Sequence, residues 1–133
     1  MRVSPGKIDE TESRFSPEEK VIAEILANEG KHVRAKAELK HKRSADSEVD
    51  GVLVEFKSFT IKTADSGTVR NTINHSIRRG GQARHIIIDA RTSGLTKVEA
   101  VRGLIRARNL TRGMIDSVRI IGDAFDLVST DFR

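Results

Sequence analysis

The sequence predicts an α+β domain, α/β-like in its alternation, with a mixed sheet flanked by helices. Three observations predict it. Helix-type apolar stripes opened by capping signatures alternate with short β-type runs. An Asp50-Gly51 pair marks a tight hairpin. The unbroken run Ile86-Ile87-Ile88 reads as a strand covered on both faces. With 133 residues, the chain accommodates one domain.

Residues 1–15 are polar and without an apolar period, and read as a linker or extension preceding a domain over 16–133. Ser16-Pro17-Glu18-Glu19 opens the first helix. Ser16 is its cap, Pro17 suits the first turn and Glu19 completes a capping box. Val21, Ile22, Ile25 and Leu26 supply its apolar stripe, with Glu24 close to that stripe, and Asn28/Gly30 end it.

His32–Leu39 alternates apolar and charged residues, the signature of a half-buried strand. A basic loop, 40–44, leads to a short strand at Asp46–Val49, the Asp50-Gly51 turn and an outgoing strand at Val52–Phe59. A helix is expected over Thr68–Arg79, terminated by Gly80-Gly81, then a strand at His85–Asp89. Thr96-Lys97-Val98-Glu99 reads as a second capping box, opening a helix to about Asn109, and Val118–Ile121 is the last strand. The order is αβββαβ followed by αβ.

Composition narrows the function. Lys and Arg outnumber Asp and Glu by 24 to 19, a net charge of +5, which favours anionic partners such as nucleic acid. Without Trp or Tyr, and with five Phe, a base-stacking platform is not expected. The absence of Cys excludes disulfides, thiolate zinc sites and a Cys nucleophile. No run is long enough to span a membrane and the N-terminus lacks a signal-peptide core, so a soluble domain is expected, without stable membrane association. Any export would depend on a larger parent protein.

The chemistry concentrates at the hairpin. A two-residue loop at Asp50-Gly51 sets Val49 against Val52, Glu48 against Leu53, Ser47 against Val54 and Asp46 against Glu55. Lys57, two residues past Glu55, points to the same side, so Asp46, Glu55 and Lys57 converge while Val52, Val54 and Phe56 face away. Two carboxylates about 5 Å apart repel by roughly 3 kcal/mol at an effective dielectric of about 20. A divalent cation such as Mg²⁺ relieves that repulsion, lowers the pKa of a bound water and offsets charge on a phosphate. Lys57 would orient or deprotonate the attacking water, or stabilise the phosphoryl oxygens. The alternative is an exposed ion-pair cluster.

Other groups are weaker candidates. His32, His41, His75 and His85 share no metal-ligand spacing, although His32 or His41 remains open as the base of a metal-free ribonuclease. Gly80-Gly81 is not a phosphate loop, since no Gly-Lys-Ser/Thr follows. The clusters Lys40–Arg43 and Arg78-Arg79, and Arg102, Arg106 and Arg108 on one helix, are either phosphate contacts or solvated surface.

Asp46 followed nine residues later by Glu55-Phe56-Lys57, within the αβββαβ order, resembles the PD-(D/E)xK nuclease superfamily, a restriction-endonuclease-like core. Ala45 stands where that motif has proline. More narrowly, the stretch from Asp46 through Ser58, together with Gln82–Arg91 and Lys97–Leu127, is similar to the C-terminal tRNA nuclease toxin domains of CdiA-type contact-dependent growth inhibition proteins, over about residues 16–128. The resemblance implies a Mg²⁺- or Mn²⁺-dependent endoribonuclease that cleaves tRNA and is neutralised by a cognate immunity protein. Such a domain is carried by a larger secreted or cell-surface bacterial effector and acts in the target-cell cytoplasm. It implies Asp46 and Glu55 as metal ligands, Lys57 as the catalytic lysine, Glu24 as an additional acidic position and Gln82 as a polar site residue. Asp50 also precedes Glu55, but its turn chemistry marks it as a hairpin residue. A DNA endonuclease or junction resolvase on the same scaffold, and a non-catalytic nucleic-acid-binding domain, remain the alternative readings.

Overall fold

The computed structural model describes residues 6–37, 47–78, 83–130 and 132. Its elements run β1 (Lys7–Asp9), α1 (Pro17–Asn28), β2 (His32–Ala35), β3 (Ser47–Val49), β4 (Val52–Ser58), α2 (Ser66–Arg78), β5 (His85–Asp89), α3 (Lys97–Thr111), β6 (Ser117–Ile121) and β7 (Asp126–Ser129). The seven strands form one mixed sheet in chain order. Strands β2, β3 and β4 are antiparallel neighbours, β4, β5 and β6 are parallel, and β1 and β7 close the edges. Among the described residues no helix is long and apolar enough to cross a membrane.

The helix caps follow their local chemistry. At α1, Ser16 Oγ accepts from the Glu19 N–H while Glu19 accepts from the Ser16 N–H at 2.8 Å, the complete capping box. Its end is a Schellman turn. Gly30 has φ of 90°, its N–H donates to Ala27, and the Lys31 N–H donates to Leu26. At α3 only half of the expected box forms. Thr96 Oγ1 accepts from the Glu99 N–H, but Glu99 reaches the Ser66 N–H at 3.1 Å instead. Glu99 thereby satisfies an orphan donor at the start of α2 and ties the two helices together.

The sheet separates two apolar layers. On one side α1 buries Ile22, Ala23 and Leu26 against Val33, Val54, Phe56 and Ile87. On the other, α2 and α3 bury Val69, Ile73, Ala100, Leu104 and Ala107 against Ile86, Ile88, Val118 and Ile120. Where α2 and α3 meet, Gly103 leaves so little room that a Cβ would lie 2.5 Å from Val69 Cβ.

The structure changes several expectations. The segment read as linker or extension contains β1, which pairs in parallel with β2, and its Ile8 and Phe15 pack on the α1-side layer. Strand β2 stops at Ala35. Helix α2 begins at Ser66 rather than Thr68, because Asp65 and Thr68 exchange reciprocal side-chain-to-backbone bonds at 3.1 Å. The buried stripe of α1 includes Ala23, while Val21 stands exposed, so Glu24 faces solvent rather than lying near the stripe. Strand β7 was not expected. Its edge position leaves it without the apolar pattern of the covered strands.

Candidate functional site

The Asp50-Gly51 turn has φ of 49° and 83°, the two left-handed residues that a two-residue hairpin requires. Asp50 Oδ1 also accepts from the His32 N–H at 2.9 Å, while the Asp50 N–H donates to the His32 carbonyl at 2.8 Å. Asp50 is thus a turn residue that locks β2 to the hairpin. The register is the expected one, with Val49 opposite Val52, Glu48 opposite Leu53 and Ser47 opposite Val54. Ser47 is fully buried and donates to the Val54 carbonyl at 2.5 Å, which fixes that register from inside.

Continuing along β4, Val54 and Phe56 enter the α1-side layer, so Glu55 and Lys57 stand on the opposite side. There they lie beside Ile86 and Ile88 of β5, whose side chains enter the α2/α3 layer. Lys57 Nζ is 3.2 Å from Glu55 Oε1, and the side chains are 31% and 17% exposed. This is a half-buried pair open to solvent rather than a sealed one. Across β3 the same side carries Glu48, loosely paired at 3.9–4.0 Å with Arg34 and Lys36, which also face Glu12.

Glu55 and Lys57 are therefore brought together as their spacing requires. Glu24 is not brought to them, since it faces solvent on α1, which covers the other side of the sheet. Asp46 and Gln82 lie outside the described residues, as do His41, the basic loop 40–44, Arg79 and Gly80-Gly81. Among the described residues, no three His, Asp or Glu side chains gather closely enough to hold a metal ion.

A second constellation was not legible in the sequence. On the α1 side, next to the C-terminal end of that helix, a groove of about 380 Å³ is lined by Lys31, Val52, Val54, His85, Ser117 and Arg119, among others. His85 Nδ1 and Ser117 Oγ lie 2.6 Å apart there. Arg119 binds Glu29 at 2.6–2.8 Å and Asp126 at 2.7–3.0 Å. Hydrogen bonding to Arg119 holds both carboxyls below their ordinary values and pushes the guanidinium higher still. These groups come from β5, β6, β7 and the cap that follows α1, so no sequence spacing announces them.

A mixed-sheet α+β domain with an acid–lysine pair on one strand defines only a broad class. Residues 42–126, well over half of the chain, match the model of the contact-dependent growth inhibition CdiA C-terminal domain. The chain belongs to that family, a part of larger secreted cell-surface effectors. A chain of the CdiA-CT/CdiI toxin and immunity complex from Burkholderia pseudomallei shares the fold, with a TM-score of 0.63 at 17% identity, over 94% of this chain and 99% of that one. Among curated proteins, none matches.

Proposed function

We propose that this chain is a metal-dependent endoribonuclease that cleaves tRNA. It would be the toxin domain of a contact-dependent growth inhibition effector, acting in the target-cell cytoplasm and neutralised by a cognate immunity protein. Family membership supports the toxin role. The observation that carries the chemistry is the Glu55–Lys57 pair, 3.2 Å apart on one side of β4, beside a hairpin whose register is the one from which Asp46 is expected opposite Glu55.

The donor chemistry suits a hard divalent ion, since carboxylate oxygens from Glu55 and Asp46 are the ligand type that Mg²⁺ or Mn²⁺ takes. When bound, such an ion supplies charge neutralisation and a more acidic water. The protein's own contribution is positional. Glu55 is held by its neighbour Lys57, and Lys57 presents an ammonium donor to a phosphate oxygen or to the attacking water. Arg34 and Lys36, on the same side, offer further contacts to a phosphate backbone. PD-(D/E)xK superfamily membership is part of this proposal, supported by the succession α1-β2-β3-β4-α2-β5.

The test incubates the protein with a tRNA pool and with duplex DNA, each with and without EDTA. Cleavage of tRNA that EDTA stops is expected. Cleavage of duplex DNA alone would assign the scaffold to a DNA endonuclease, and retention of RNA without cleavage to a binding domain. Glu55→Gln and Lys57→Ala should each lower the cleavage rate at least about 100-fold. Asp46→Asn should do the same. Glu24→Gln, on the far side of the sheet, provides the comparison, and an equal loss there would place Glu24 in the site.

A further inference from the structure

Helix α3 is apolar on two sides, with its bulk distributed the unusual way. Small residues (Ala100, Gly103 and Ala107) accompany Leu104 on the side that packs on α2 and the sheet. The larger aliphatics Val98, Val101 and Ile105 face outward, 61%, 40% and 58% exposed. Spacings of three and four residues align them in one stripe. A surface helix ordinarily presents polar residues there, and an exposed aliphatic stripe with a polar rim marks a docking surface.

The rim is cationic. Lys97, Arg102 and Arg112 are exposed around the stripe, and Arg106 and Arg108 add to the positive charge. The helix has one carboxylate, Glu99, and the Ser66 N–H and Arg102 already engage it. This charge decides among occupants. A second copy of the chain would bring like charges together. Nucleic acid would match the arginines but gain nothing from three aliphatic side chains, because phosphates and base edges call for polar donors. A protein whose apolar centre is ringed by carboxylates satisfies both parts.

We infer that the outer side of α3 is the docking surface for an acidic protein. Resting on the function proposed above, this partner is the cognate immunity protein. Because α3 covers the side of the sheet that carries Glu55 and Lys57, a partner seated there approaches the cleavage site from its own side.

The test measures binding of the cognate immunity protein to the full chain by calorimetry, comparing wild type with the double variant Val101→Asp/Ile105→Asp. The variant places carboxylates against an acidic partner, and its affinity should fall about thirtyfold or more. Its melting temperature should stay within about 2 °C of wild type, since both positions are exposed, and cleavage of tRNA should be unchanged. Wild-type affinity should also weaken as salt rises. Equal affinity of wild type and variant overturns the inference while leaving the proposed function standing. A wild-type dimer that the variant abolishes, or RNA binding that it weakens, assigns the surface to those occupants instead. A wild type that binds no immunity protein overturns the functional reading and this inference together.

Discussion

Gly51 and Asp50 set the position of everything downstream on β4. Nothing lies within 4 Å of a Cβ built on Gly51, so Gly51→Ala would meet no clash, and its cost is purely the left-handed backbone at φ of 83°. That costs about 1–2 kcal/mol, which thermal melting should register as a drop of several degrees. At Glu55 the balance is opposite. Its pair with Lys57 is half-exposed, worth about 0–1 kcal/mol, so under the proposed nuclease function Glu55→Gln should hardly move the melting temperature but should strongly lower cleavage. A large loss of stability with cleavage retained would make the pair structural. Both the turn and the pair were legible in the sequence, because turn chemistry and strand alternation are local properties. The outward direction of Glu24 was not. Which stripe of α1 is buried depends on how closely the sheet approaches, and that approach favours Ala23 over Val21.

Among the elements, α2 and α3 show how a small residue governs packing. At Gly103 a Cβ would meet Val69 Cβ at 2.5 Å and Val69 Cγ1 at 2.8 Å. Gly103→Ala gains helix propensity of about 1 kcal/mol but forces the helices apart, at a cost of about 1–3 kcal/mol. A net decrease in melting temperature is expected, and an increase would show that the α2–α3 contact has slack. The helices themselves could be read from their apolar periodicity and caps. Their shared tie, Glu99 to the Ser66 N–H at 3.1 Å, could not, since it joins residues 33 positions apart.

Across the whole molecule, Arg119 clamps the end of α1 to β7 through Glu29 and Asp126. Arg119→Met would leave both carboxylates without their shared partner. They remain partly exposed and can rehydrate, so the expected cost is about 2 kcal/mol, or a fall in melting temperature of about 6 °C or more. The clamp also predicts a pH dependence. Both carboxyls sit below their ordinary values of 4.5 and 3.8, so the folded state binds protons less readily than the unfolded chain. Their contribution is complete above about pH 4.5 and is lost as pH falls through the depressed values. Melting between pH 7 and pH 3 should therefore show a smaller acid-induced loss for Arg119→Met than for wild type.

The sequence by itself determined the helices and most of their caps, the hairpin and its register, the covered strand β5, and the convergence of Glu55 with Lys57. Each depends on residues close along the chain, where dihedral preference and side-chain period decide the outcome. Only the tertiary structure decided that Lys7–Asp9 joins the sheet, that Asp126–Ser129 closes its other edge, that α1 and Glu24 lie across the sheet from Glu55, and that the larger aliphatics of α3 face outward. An edge strand takes its stability from the partner it pairs with, and the buried side of a helix from the surface it meets, so neither is encoded in its own local pattern.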